Sequence, residues 1–147
     1  MAQSENNVKK PLGRREERQQ AFDLVFERLF RDDSAEEVFE DAVNARGEEI
    51  SGYARTIVKG VEEHIDEIDK VIEENLKGWK KNRISKISLT ILRIAVFEML
   101  YVKDVPVSVS INEAVELAKN YATETDGSFV NGVLGSVAKK TGKSGES

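Results

Sequence analysis

The sequence contains no cysteine, one histidine and two prolines among its 147 residues. The lack of cysteine excludes disulfides, thiolate metal sites and thiol nucleophiles, and it suits a reducing compartment. The single histidine, His64, lies in the acidic stretch EEHIDEID, where an exposed imidazole beside carboxylates is the ordinary outcome. A nucleophilic triad would depend on this one residue, and the paired Glu-x-x-His motifs of di-iron bundles need two histidines. We therefore predict no catalytic residues, no metal site and no cofactor, and hence a protein that is not an enzyme.

Long apolar runs and an export signal are also missing. The first ten residues, MAQSENNVKK, lack an apolar segment, and no stretch approaches the roughly 20 apolar residues that span a bilayer. We expect a cytoplasmic protein without a membrane partner. A chain of this length fits one domain that can bury roughly two-thirds of its unfolded surface.

Charge is distributed unevenly along the chain. The net charge of −5 taken alone argues against nucleic-acid binding. From Asp32 to Glu74, however, fifteen acidic residues stand against four basic ones, so the rest of the chain is net basic. The basic residues form three clusters: Lys9, Lys10, Arg14, Arg15 and Arg18; Lys77, Lys80, Lys81, Arg83 and Lys86; Lys139, Lys140 and Lys143. Such segregation indicates distinct partners on distinct faces.

Scarce proline and few alternating runs favour an all-α fold. Apolar spacing predicts a first helix from about Arg14 to Phe30 and a central, mostly buried helix within Ile84 to Val102. Predicted helix caps are Ser34 with Glu37, Ser51, Ser110 with Glu113, and Asp126, and a bend is expected after His64. In the last helix, Gly132 and Gly135 are expected to permit close approach of a neighbouring helix.

The segment KKPLGRREERQQAF is the most informative feature for function. On a helix, Arg14 and Arg18 project from one side while Phe22 and Phe26 pack on another. Guanidinium groups bind phosphate oxygens in pairs and stack on unpaired bases, and the positive end of the helix dipole adds to the attraction. An alternative remains open, in which these arginines merely balance nearby glutamates.

Three stretches of the chain form a recognisable pattern, namely RREERQQAFDLVF, ILRIAVFEML and VPVSVSINEAVELAKNYATETDGSFVNGVL. They resemble the NusB family of bacterial transcription antitermination factors, and the resemblance covers about residues 14–140. The resemblance implies seven helices in two packed helical subdomains. We accordingly predict a flexible basic extension over residues 1–12, one helical domain over 13–140 and a disordered tail over 141–147.

The resemblance also implies function and partners. Family members bind the boxA element, a single-stranded sequence of nascent RNA, together with NusE, a small-subunit ribosomal protein. They act in a complex that makes RNA polymerase resistant to termination, notably in rRNA transcription. Whether this chain is a monomer or a homodimer stays open. The alternative function is a helical protein–protein adaptor that uses its acidic face without binding RNA directly.

Carried over by position, the resemblance assigns site residues. Those expected at the RNA are Arg14, Arg15, Arg18, Phe26, Lys119, Tyr121 and Phe129. The expected NusE contact maps to the central helix between Lys86 and Arg93, which includes Ser88, while Asn112, Glu113 and Asn131 look structural. The chain departs from the family pattern at Asp126 and Gly135, near the RNA-proximal loop.

Overall fold

The computed structural model describes residues 12–78 and 83–141, and within these residues it contains seven α-helices and no strand. The helices are α1 (Arg14–Arg28), α2 (Ala35–Arg46), α3 (Gly52–Glu63), α4 (Ile65–Glu74), α5 (Lys86–Tyr101), α6 (Val107–Tyr121) and α7 (Glu124–Lys140). The predicted all-α fold is confirmed. No helix in this part of the chain is both long enough and apolar enough to cross a bilayer.

Local sequence signals explain how the first helices begin and end. The hydroxyl of Ser34 accepts a hydrogen bond from the Glu37 amide at 3.2 Å, and the Glu37 carboxylate accepts one from the Ser34 amide at 2.7 Å. This is the predicted capping box. Gly47 ends α2 in the left-handed conformation, with φ of 68°. The predicted bend falls at His64, which separates α3 from α4.

Two predicted caps of the last helices are wrong. Helix α6 begins one turn earlier than expected, after Pro106, and Ser110 lies buried inside it. Pro106 is the N-cap residue in an extended conformation, with φ of −60° and ψ of 143°. Because it has no amide hydrogen and its ring disrupts a helix interior, proline is better tolerated at this boundary than further inside the helix. Helix α7 begins after Thr123, whose hydroxyl accepts from the Asp126 amide at 3.1 Å. Asp126, the predicted cap, instead lies in the first turn of α7 and is the hydrogen-bond partner of the Thr123 cap.

The core is continuous across two groups of helices. Helices α1, α2 and α3 pack on one another, while α4, α6 and α7 pack around α5. Helices α1 and α3 also pack on α5, so α5 belongs to both groups. Fully buried side chains from both groups, such as Phe39, Ile57, Leu92 and Leu134, lie in one hydrophobic cluster. The central position predicted for the Ile84–Val102 segment is confirmed.

Close helix approach occurs at a glycine other than those predicted. A Cβ atom on Gly60 in α3 would lie 2.1 Å from Cε1 of Phe97 in α5. A Cβ atom added to Gly132 or Gly135 would have no neighbouring atom within 4 Å, so the packing role predicted for these two glycines is wrong. The contact at Gly60 holds α3 against α5.

Some predictions concern segments that the structure does not describe. The extension 1–12, apart from Leu12, and the tail 141–147, apart from Thr141, lie outside the described residues. So do Lys80 and Lys81 of the second basic cluster.

Candidate nucleic-acid interface

The first turn of α1 presents two arginines to solvent. The side chain of Arg14 is 54 % exposed and that of Arg15 is 62 % exposed. The turn is closed by Glu16, whose carboxylate accepts a hydrogen bond from the Gly13 amide at 2.6 Å. Both guanidinium groups therefore lie at the positive end of a helix dipole, which is a favourable place for an anion.

Arg14 is supported by an aromatic ring from α3. Its guanidinium carbon lies 3.8 Å from the centroid of the Tyr53 ring, and its Nη1 atom lies 3.1 Å from the Glu17 carboxylate. An arginine stacked on a ring keeps its donor atoms directed outward in one plane. The edge of Arg14 thus stays available to phosphate oxygens or to a base.

Arg15 bridges α1 to α6. It donates to both carboxylate oxygens of Glu113, with Nε–Oε1 and Nη2–Oε2 distances of 3.0 and 2.8 Å. Hydrogen bonding and charge from Arg15 lower the pKa of Glu113. Because Arg15 is well exposed, exchanging this pair for a phosphate contact costs little free energy. Glu113 is therefore a partner of Arg15 and not the capping-box residue that the sequence predicted.

Arg18 does not share the exposed surface of Arg14 and Arg15. It is 4 % exposed, and its Nε donates to the Glu98 carboxylate at 2.8 Å. In this fold the guanidinium faces the interior because Glu98 is a buried carboxylate in the last turn of α5 that needs a cation. We therefore correct the assignment of Arg18 from an RNA contact to a support beneath the arginine surface.

Glu98 receives three donors from three other helices. Besides Arg18, the hydroxyl of Ser110 donates a hydrogen bond to the Glu98 carboxylate at 3.0 Å. The hydroxyl of Tyr53 donates a third hydrogen bond to the same carboxylate. Burial and this hydrogen bond raise the pKa of Tyr53, so its hydroxyl remains a proton donor. The network fixes the ring on which Arg14 rests.

Aromatic rings continue the surface away from the arginines. The rings of Phe22 and Tyr121 stack with centroids 4.6 Å apart, and those of Phe22 and Phe26 stack at 5.7 Å. Tyr121 is 40 % exposed and Phe26 is half-buried, whereas Phe22 is buried beneath them. The surface thus offers partly exposed rings beside exposed cations, which suits unpaired bases on a phosphate backbone.

The remaining predicted RNA residues lie on the last two helices. Lys119 is exposed near the end of α6, and its stem passes over Gly127, where an added Cβ would lie 3.3 Å from the Lys119 Cγ. Phe129 is half-buried in α7 and packs against the core. Asp126 accepts a hydrogen bond from the Thr123 hydroxyl at 2.6 Å, so its carboxylate is held in the helix cap.

Comparison with known proteins identifies the fold. The sequence profile of the NusB family matches residues 15–139. The chain belongs to the NusB family. It is 46 % identical over 130 residues to the transcription antitermination protein NusB of Acetivibrio thermocellus, which covers 87 % of this chain and 90 % of the relative. Identity to the Clostridium novyi protein of the same name is 42 % over 132 residues, covering 87 % of this chain and 99 % of that one.

Solved NusB structures agree with this fold. That of T. maritima NusB superimposes with a TM-score of 0.78 at 35 % identity, covering 89 % of this chain and 94 % of that one. A crystal structure of the antitermination factors NusB and NusE in complex with double-stranded RNA gives a TM-score of 0.76 at 30 % identity. It covers 86 % of this chain and 96 % of the matched one. NusB proteins are transcription antitermination factors, a non-enzymatic family.

The residues that the NusB resemblance assigned to NusE do not form one exposed surface. Lys86 is exposed at the start of α5. Ser88 is buried, and its hydroxyl donates to the Asp126 carboxylate at 3.3 Å. Arg93 is half-buried and donates to both carboxylate oxygens of Asp69, at 2.9 and 2.8 Å. Alternate faces of α5 point to different neighbours, so only Lys86 is placed for an external contact. Ser88 is corrected to a structural residue.

Two residues that support the site were missed by sequence reasoning. These are Tyr53 and Glu98, to which the sequence analysis assigns no role. The signal for Glu98 was available, since an acid in the middle of the apolar run ILRIAVFEML is rarely buried without a partner. No local signal paired Tyr53 with Arg14, because the two are far apart in the chain.

Proposed function

We propose that the chain is an antitermination factor that binds boxA-type single-stranded RNA together with the ribosomal protein NusE. In this function it modifies elongation by RNA polymerase, notably during rRNA transcription, in the cytoplasm. The observation that carries the proposal is the exposed pair Arg14 and Arg15 beside the partly exposed rings of Phe26 and Tyr121. This surface lies on a fold whose structural relative was crystallised with NusE and RNA.

The RNA in that relative's crystal is double-stranded, whereas our proposal commits to a single strand. The reason is the chemistry of the surface. Aromatic rings stack on bases only where the bases are unpaired, and a double-stranded RNA would offer mainly phosphates and sugar hydroxyls. We expect a single-stranded boxA-type oligomer to bind more tightly than the same sequence in a duplex.

The decisive experiment measures RNA affinity across a salt series for the double variant Arg14→Ala, Arg15→Ala. Without these two phosphate-binding groups, the slope of log K against log salt should flatten by about 1.4, since each phosphate neutralised on a single strand contributes about 0.7. Affinity should fall roughly tenfold or more for each arginine removed. Alanine is a good helix former, so α1 should remain folded.

The matched control removes two exposed lysines elsewhere, as Lys70→Ala with Lys103→Ala. This control changes the net charge by the same amount as the arginine variant. Its slope of log K against log salt should equal that of the native protein within experimental error. If the arginine variant and this control behave alike, the RNA site has been misplaced. Fluorescence anisotropy with a labelled oligomer provides the measurement.

The adaptor alternative rests on the acidic block from Asp32 to Glu74. Several of its carboxylates are already paired within the chain, among them Asp33 and Asp41 with Arg31 and Glu36 with Lys59. This internal pairing lowers the charge offered to a basic partner and favours the RNA proposal. The adaptor hypothesis predicts that NusE binds while RNA alone does not. Our proposal predicts that RNA binds alone and that RNA and NusE strengthen each other's binding.

A further inference from the structure

A ladder of aromatic rings runs along α1 and ends in an exposed phenylalanine. Phe22 stacks on Phe26 with an interplanar angle of 9°, and Phe26 meets Phe30 edge to face with centroids 5.2 Å apart. Phe30 follows the end of α1 and is 61 % exposed, the largest exposed fraction among the large apolar side chains that the structure describes. A ring this exposed, fixed by a neighbouring ring, is a candidate contact surface.

A cation accompanies the exposed ring. The Nζ atom of Lys86, the first residue of α5, lies 5.9 Å from the Phe30 ring centroid, and Lys86 is itself exposed. The adjacent Arg31 is different, because its guanidinium is held by Glu27, Asp33 and Asp41. The charge of Arg31 is therefore already balanced by carboxylates of the chain, whereas the exposed ammonium group of Lys86 is accessible to an external anion.

Ring and cation together fit a nucleotide better than a protein. A base can stack on the open face of Phe30 while its phosphate approaches the ammonium group of Lys86, the combination that single-strand binders use. A protein interface of useful size would need a broader apolar patch, whereas Phe30 is followed by the polar residues Arg31 and Asp32.

The exposed ring is also continuous with the arginine surface. Tyr121 joins the ladder at Phe22, so one row of stacked rings, with Phe22 buried within it, leads to Phe30. Arg15 and Phe22 lie about two helical turns apart on the same side of α1. At 1.5 Å per residue, Arg15 and Phe30 lie roughly 22 Å apart along α1. An extended strand of several nucleotides can span that distance.

We propose that Phe30 and Lys86 form a distal base-stacking subsite that extends the single-stranded RNA track of Arg14 and Arg15 to the far end of α1. The subsite rests on the proposed function, because it prolongs the same track. It also gives Lys86 an RNA contact in place of the NusE contact that the sequence suggested.

The test compares RNAs of different length. One short single-stranded oligomer covers the core sequence, and two longer ones add a few nucleotides at the 5′ or the 3′ end. The native protein should bind one of the longer oligomers more tightly than the short one. Phe30→Ala should weaken binding of that longer RNA by about 5- to 150-fold, the value of one stacked base, and binding of the short RNA by less than about twofold.

Three further variants sharpen the result. Phe30→Tyr keeps a ring and should retain the preference for the longer RNA. Lys86→Gln should lower the salt slope by about 0.7 on the longer RNA only. Val43→Ala removes a comparable exposed apolar side chain from α2 and should change neither affinity. Circular dichroism checks that each variant remains helical.

The outcomes separate the two proposals. If the native protein binds RNA but Phe30→Ala weakens binding of the short and the long RNA equally, or of neither, the distal subsite is wrong and the proposed function stands. If Phe30→Ala weakens binding of NusE and leaves both RNAs unaffected, the ring is a protein contact and the subsite is again wrong. If the native protein binds no single-stranded RNA, both proposals fail.

Discussion

At the scale of single residues, Tyr53 joins a buried carboxylate to an exposed arginine. Its hydroxyl donates to Glu98, and its ring lies 3.8 Å from the guanidinium carbon of Arg14. We therefore expect Tyr53 to affect RNA affinity indirectly, by supporting the guanidinium group of Arg14. Tyr53→Leu should weaken binding about two- to fivefold, the value of an exposed cation–π contact, whereas Tyr53→Phe retains the ring and most of the affinity.

A double-mutant cycle checks this coupling. In the Arg14→Ala background, Tyr53→Leu should cause no further loss of RNA affinity, because the supported group is already gone. Equal losses in both backgrounds would instead show that Tyr53 affects the whole fold. Anisotropy titrations of the four proteins, each first checked by circular dichroism, provide the comparison.

At the scale of elements, the contact between α3 and α5 depends on Gly60. A methyl group there would overlap the Phe97 ring at 2.1 to 2.9 Å, so Gly60→Ala should cost about 1–3 kcal/mol of unfolding free energy or more. Gly132→Ala is the matched control, since a Cβ there meets nothing within 4 Å. It should be neutral or stabilise the protein by up to about 1 kcal/mol, because alanine has the higher helix propensity.

Urea unfolding of both glycine variants measures these changes. Adding Phe97→Leu to Gly60→Ala should cost less than the sum of the two single changes, because the smaller side chain makes room for the methyl group. Equal stability of Gly60→Ala and Gly132→Ala would contradict the close approach of α3 and α5.

At the scale of the whole molecule, Glu98 ties the two helix groups together. Its carboxylate on α5 receives Arg18 from α1, Tyr53 from α3 and Ser110 from α6. Glu98→Ala leaves a buried guanidinium without its partner, so we expect a loss of about 3–5 kcal/mol. Glu40→Ala, an exposed change in α2, should alter stability by less than about 0.5 kcal/mol. A destabilisation under about 1 kcal/mol for Glu98→Ala in urea unfolding would contradict this role.

The sequence by itself determined the helical class, the caps at Ser34 and Ser51, the break at His64 and the presence of an arginine cluster at the start of α1. These features depend on the spacing and chemistry of residues that lie within a few positions of one another, and this information is present in the sequence itself. The starts of α6 and α7 were misplaced because Pro106 and Thr123 compete with cap residues a few positions further on. Each candidate is plausible locally, and the packing of the helix decides between them.

Only the tertiary structure decided which side of α1 each arginine occupies. Arg14, Arg15 and Arg18 share one sequence cluster, but they meet Tyr53, Glu113 and Glu98, which come from three other helices. The same is true of the ring ladder, where Tyr121 from α6 completes a row begun on α1. Burial and ion pairing depend on groups distant in the chain, so the arginine cluster was predictable from sequence, while the choice of its exposed members, their supports and the extent of the surface were not.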